Sequence, residues 1–325
     1  MSTKNPKAAL TLSVAICLSA YAPMASGQVT AANDGYSDNN VRLAIQKAEQ
    51  LRRSGEFDEA YNVLCSVGNR PASRTGAALM NSLGSVLQDL GRLDEAERQY
   101  RQSLRMMENQ FGPDDPDLVF ALNNLGGLMM VRGRLSEAAR LRERSLEMRE
   151  RSYPPADPVV LLAVENLASV RLAQKQYAEA QRLFERAREA WEKLRPGAWE
   201  AAIALSGLGA VALHNKQKDQ AAMFFREAID RWQPDTEPLL LAKVLGNLAT
   251  AVDPDEALHH FTRAVALVEK HGGRDHPLLA ALYDAEAACL RRLHRNRESR
   301  ELAARAMGVR QANPAGLSVD VSSLK

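Results

Sequence analysis

Aromatic residues make up only 5% of this 325-residue chain, and it holds only 3 cysteines. So few aromatics argue against a β-sandwich or barrel, whose strands favour aromatic and β-branched side chains. Three cysteines are too few for a disulfide framework. Charge of one sign is missing too, since 42 Lys and Arg face 40 Asp and Glu for a formal net of +2. That balance argues against nucleic acid as a partner, because proteins that neutralise phosphates carry a basic excess or stripe. The sequence also lacks a glycine-rich phosphate loop, a nucleophile elbow and a His-Glu-x-x-His motif. His259 and His260 are adjacent, so they diverge on a helix, and no cysteine or carboxylate set joins them at metal-ligand spacing. Cys65 follows Val63 and Leu64 and is expected to be an inert buried thiol. The expectation is a protein that is not an enzyme and uses neither metal nor cofactor.

What remains is a globular composition, 46% apolar and 25% charged, of an aliphatic helical kind. Its first residues read as an address. Lys4 and Lys7 precede an acid-free apolar run from Ala8 to Ala22, followed by Ala25-Ser26-Gly27. This is the layout of a secretory signal peptide, and the run is too short to span a bilayer. Residues 1–27 are expected to be removed on export to a periplasmic or extracellular location, leaving no integral membrane segment. Loss of Lys4 and Lys7 would bring cations and anions to equality, 40 against 40.

Self-similarity organises the rest. The string LNNLGGLMMVRGRLSEAARLRERSL from Leu122 superposes on MNSLGSVLQDLGRLDEAERQYRQSL from Met80 at a shift of 42 residues. Asn81 falls on Asn123, Gly84 on Gly126, Gly91 on Gly133 and Ala96 on Ala138. The same shift reaches Ala168 and Ala180, and a shift of 41 then reaches Gly209 and Ala221. Weaker copies lie at both ends. Pro71, Pro113 and Pro155 share the period of 42 and fall between repeats, where a helix interior would not tolerate them. Apolar spacing within each unit is helical, so each unit is two antiparallel helices joined by a short turn. Gly55, Gly91 and Gly133 sit where the first helix stops and are expected in the left-handed conformation. The small residues Ala48, Gly84, Gly126, Ala168, Gly209 and Ala287 let the first helix lie close against the second. Ala60, Ala96, Ala138, Ala180, Ala221 and Ala257 do the matching job on the second helix.

These paired helices resemble tetratricopeptide repeats, and the 42-residue period is similar to that of kinesin light chains and their bacterial relatives. The residues that carry the likeness are LNNLGGL at Leu122 to Leu128, GRLSEA at Gly133 to Ala138, and the linker FGPDDPDLV at Phe111 to Val119. It covers roughly Val41 to Met307. The resemblance implies an all-α right-handed superhelical solenoid of about seven repeats whose concave face holds a protein or peptide. On that face lie Asn81, Ser85, Asn123, Glu165, Ser169 and Ser206, and an Asn ladder there is the part that holds cargo peptides in kinesin-light-chain-like arrays. Asn124, Asn166 and Asn247, beside it in sequence, are expected to brace helix contacts. Some arrays of this family grip a terminal carboxylate with inner-face Lys and Arg. The corresponding positions here are Asn, Ser, Gly, Glu and Ala, which disfavours such a clamp.

The arginines Arg98, Arg101, Arg105, Arg140, Arg142, Arg144, Arg182, Arg186 and Arg188 alternate with Glu at helical spacing and read as solvated outer faces. Arg291 to Arg310 is locally basic and reads as a polar cap on the end of the array. The sixth unit is about four residues short at its turn, and the seventh replaces the turn residue and alanine by His294 and Ser299. The organisation read here is a signal peptide at 1–27, a polar linker at 28–39, the repeat array at 40–308 and a flexible tail at 309–325. The function implied is an exported interaction scaffold with a peptide or protein ligand. The alternatives are an assembly or envelope-organising subunit that works through the array ends and outer faces, and, less favoured, a nucleic-acid-linked regulator.

Overall fold

The computed structural model describes residues 37–67, 73–233 and 236–312. The expected signal peptide lies outside these, as does most of the expected tail. The described residues form fourteen helices and no strand. In chain order these are α1 (Ser37–Arg53), α2 (Phe57–Ser66), α3 (Arg74–Asp89), α4 (Leu93–Phe111), α5 (Leu118–Val131), α6 (Leu135–Ser152) and α7 (Pro158–Ala173). There follow α8 (Tyr177–Leu194), α9 (Ala201–His214), α10 (Lys218–Arg231), α11 (Pro238–Ala251), α12 (Pro254–Gly272), α13 (Pro277–Arg292) and α14 (Asn296–Ala312). Helix α1 begins inside the expected linker, and α14 runs four residues into the expected tail. Contacts divide the chain into two compact units, one ending at Asn166 and the other starting at Leu167.

In the first unit α1 packs on α2, α3 on α4 and α5 on α6, while α1, α3 and α5 lie side by side. In the second unit α9 packs on α10, α11 on α12 and α13 on α14, with α9, α11 and α13 side by side. A first helix is therefore covered by its partner and by neighbouring first helices. This explains why α9 is buried at every residue from Ala201 to Ala212, and why its sequence is apolar all round. The second helices stay amphipathic.

The stop between paired helices is the same device in most units. Gly55, Gly91 and Gly133 have φ of 80°, 72° and 70°, as their spacing predicts. Lys175, Lys216 and His294 occupy the same place at φ of 62°, 62° and 61°, where a side chain costs energy that glycine avoids. The sixth unit has no left-handed residue at its turn. Its shortened link runs through extended Val252 and Asp253 into Pro254 at the start of α12, so proline sets the helix entry instead. In the seventh, Ser299 donates its hydroxyl to the carbonyl of Ala287 at 2.9 Å, which lets serine stand where other units have alanine.

Small residues fit as the sequence predicts, and the structure shows against what. Four residues after each matching alanine a large side chain plugs the joint: Leu64, Tyr100, Phe184, Phe225 and Phe261, each no more than 1% exposed. A Cβ at Gly84 would lie 2.6 Å from the Tyr100 ring, and one at Gly209 would lie 2.6 Å from the Phe225 ring. A Cβ at Gly207 would come closer still to the Phe184 ring. Each buried ring contributes roughly 2–3 kcal/mol of burial.

Linkers are tied by charge. Arg74 grips Asp115 with both terminal nitrogens, at 2.8 and 2.6 Å, reaches Asp117, and stacks 4.2 Å above the Phe111 ring. Burial would raise the Asp115 carboxyl, but the Arg74 hydrogen bonds and the N–H of Asp117 hold it below its usual value.

Candidate functional site

On the first unit, Asn81 and Ser85 lie on the half-buried stripe of α3, and Asn123 with Asn124 on that of α5. Because α3 and α5 are neighbours and their repeats match, Asn81 and Asn123 form one rung. Phe120, 40% exposed, stands one helical turn from Asn123. The sixfold ladder read from the sequence is not uniform. Glu165 is completely buried in this unit, and Ser169 and Ser206 are completely buried in the other. The Ser206 hydroxyl donates to its own helix at Ile203, at 2.8 Å. Of the six, only Asn81, Ser85 and Asn123 are half-exposed. Among the bracing asparagines, Asn166 and Asn247 are buried, at 4% and 0% exposed, and Asn124 is half-buried.

The two open asparagines are held differently. The carbonyl oxygen of Asn123 accepts hydrogen bonds from Arg142 Nη1 at 3.1 Å and from Ser145 Oγ at 2.9 Å. One repeat earlier, Tyr100 stands in place of Arg142, and its hydroxyl donates to Ser85 Oγ at 3.1 Å. Ser103, in place of Ser145, donates to the carbonyl of Ala77 at 2.7 Å. The Asn81 oxygen is consequently buried without a hydrogen-bond partner.

A model of the tetratricopeptide repeat family matches residues 74–151, 160–233 and 240–312. The chain belongs to the tetratricopeptide repeat family. No curated protein matches it in sequence. Among solved structures it is similar to the apo form of RapI, with a TM-score of 0.63 at 13% identity, over 83% of this chain and 97% of that one. It is also similar to a Podosopora anserina putative kinesin light chain with nearly identical repeats, with a TM-score of 0.53 at 19% identity, over 61% of this chain and 96% of that one. A third is the Rap conjugation gene regulator of plasmid pLS20, solved with the Phr* peptide, with a TM-score of 0.61 at 12% identity, over 91% of this chain and 82% of that one. At these identities the likeness establishes a shared fold, that of a tetratricopeptide helical array.

Two readings of the sequence need correction. Arg142 is not on a solvated outer face of the tetratricopeptide array but 1% exposed, with its side chain against Gly126. The signal was present in the period, since a shift of 42 either way places Arg142 on Tyr100 and on Phe184, both joint plugs. Cys65 is exposed instead of buried, because α2 buries Ala60 and Leu64 and the next residue turns about 100° away from that face. The partly exposed arginines also do more than pair along their own helix. Arg101 bridges to Glu137 at 2.8 Å, Arg132 to Glu97 at 2.7 Å and Arg144 to Glu108 at 2.5 Å, each joining one repeat to the next.

Among the described residues no helix is long and apolar enough to cross a membrane. His260 lies 3.3 Å from the Glu256 carboxylate, and its ring meets that of His259 edge-on. Among the described residues Cys65 and Cys289 are free thiols, and Cys289 donates to the carbonyl of Pro254 at 3.2 Å.

Proposed function

We propose that this protein is an exported, noncatalytic scaffold that holds an extended peptide or protein segment along the open stripe of α3 and α5. The observation that carries the reading is the Asn81–Asn123 rung, with a side-chain amide on each of two adjacent first helices. Amides pair with a peptide backbone without demanding a particular side chain. Phe120 beside them, 40% exposed, offers an apolar seat. The fold shared with a regulator solved with a peptide supports this choice of ligand class. Crosslinking and mass spectrometry on the native protein, compared with a variant carrying Asn81→Ala and Asn123→Ala, tests it. The double variant should lose its captured partner while staying folded by circular dichroism, with a lowered melting temperature because Asn123→Ala removes the acceptor of buried Arg142 and Ser145.

A second reading, assembly through the ends of the array, is favoured by Leu43 on α1 and Met307 on α14, which are 55% and 58% exposed. Retention of partners by the double asparagine variant, with loss on Leu43→Ser or Met307→Ser, would favour that reading. The export proposal rests on the pattern from Lys4 to Gly27. N-terminal sequencing of the protein from an envelope or culture fraction should begin at Gln28.

A further inference from the structure

In five units the joint between paired helices is plugged by an aliphatic or aromatic side chain, and in the third unit by Arg142, 1% exposed. A buried guanidinium is costly unless it does something that a ring cannot. Arginine only donates hydrogen bonds, so the group that faces Arg142 Nη1 at 3.1 Å must be the oxygen of the Asn123 amide. Ser145 Oγ, also buried, donates to the same oxygen at 2.9 Å. With two donors on one side, the amide cannot turn over without losing both bonds. No hydrogen bond within the described residues engages the Asn123 nitrogen, and it is not among the buried polar atoms without a partner, so it reaches solvent. Asn81 is the internal contrast, since the plug of its unit is Tyr100 and its oxygen has no such anchor.

We propose that Arg142 is a positioning residue of the binding face. With Ser145 it sets Asn123 as a one-way donor, and this rung takes a backbone carbonyl oxygen of an extended ligand segment while rejecting a backbone N–H. The inference rests on the peptide-scaffold reading above. A terminal carboxylate shares the acceptor chemistry, but Arg142 is too buried to meet its charge. Glu165, a single period beyond Asn123, is also completely buried.

The test uses the full chain and a peptide selected on it from a random display library. If no peptide is retained by the wild type, the scaffold reading fails, and this inference with it. Given a binder, Asn123→Asp keeps acceptors for Arg142 and Ser145 but presents no donor. Binding should weaken about tenfold or more, the value of one hydrogen bond, with no fall in melting temperature. Unchanged affinity would overturn the positioning role and leave the scaffold reading standing. Arg142→Phe installs the plug of the sister units and should weaken the same peptide about as much, whereas Arg142→Lys, which still donates, should restore most of the binding. Equal affinity in these two variants overturns the proposal. If Arg142→Phe does not fold, the Asn123→Asp result decides. Amidating the C-terminus of the peptide should change nothing, and loss of binding on amidation would assign the rung to a terminal carboxylate.

Discussion

Gly209 on α9 and Phe225 on α10 approach so closely that a methyl group on the glycine would lie 2.6 Å from the ring. At the matching joint one unit of the period is different, because Gly126 faces the flexible stem and Nε of Arg142 at 3.0 Å. A Gly→Ala change in a helix gains up to about 1 kcal/mol in propensity. At Gly209 overpacking against a rigid, fully buried ring should outweigh that gain, for a net loss of about 1–2 kcal/mol. At Gly126 the arginine can give, so Gly126→Ala should fall within about 1 kcal/mol of wild type. Urea unfolding of the two variants side by side checks the ranking, and equal losses would show that the joints are not distinguished by their plugs.

Turn residues give a second pair of opposite effects. Lys175 holds the left-handed conformation that Gly133 holds one period earlier. Lys175→Gly should stabilise by up to about 1 kcal/mol, and Gly133→Ala should destabilise by about the same amount. Thermal melts of both variants at one protein concentration measure this, and the signs must differ.

Glu97 joins three arginines, Arg101 and Arg132 at 2.7 Å and Arg134 at 2.8 Å, across the boundary between two repeats. Isolated surface pairs contribute little, but one carboxylate shared by three cations makes a network. Glu97→Gln should lower stability by about 1 kcal/mol at low ionic strength, with the difference shrinking as salt is added. A loss that is unaffected by molar salt would point to packing instead of charge.

The protein should lose stability as it is acidified through a defined window. His276 caps α13, where its Nδ1 accepts the Leu278 N–H at 3.2 Å, and burial together with Lys243 pushes its pKa down to about 4. His214, whose Nδ1 lies 3.2 Å from the Tyr177 hydroxyl, is lowered in the same direction by burial and by Lys175. A folded pKa below the unfolded value of about 6.5 means that the unfolded chain binds the proton first. The contribution of His276 is therefore complete above about pH 6.5 and is lost as pH falls towards 4, by roughly 2–3 kcal/mol. His276→Asn keeps a capping acceptor that does not titrate. Its stability should vary less than wild type between pH 4 and 6.5 in chemical denaturation, and an identical pH profile would remove His276 from the account.

Much of this molecule is legible without coordinates because its period is written in residues whose size or conformation has one use. Gly91 and Gly133 mark stops, Ala96 and Ala138 mark close joints, and both appear where the shift of 42 places them. The same arithmetic aligned Arg142 with Tyr100 and Phe184, yet residue type argued for solvent and prevailed wrongly, since a charged side chain is seldom fully buried. For Cys65 the neighbours were apolar but the helical angle was not, and the angle decides exposure.

By itself the sequence determined the helix pairs, their turns and the face on which each ladder position falls, since these follow from local periodicity and the steric demands of glycine, alanine and proline. It could not determine which rungs are open. Asn81 and Asn123 are half-exposed while Glu165, Ser169 and Ser206 are sealed, although all sit at ladder positions. Exposure depends on how closely neighbouring helices cover a face, and that is fixed only when side chains from different repeats pack together. The orientation of the Asn123 amide is of the same kind, set by two donors that lie 19 and 22 residues away in the chain and meet it only across the folded joint.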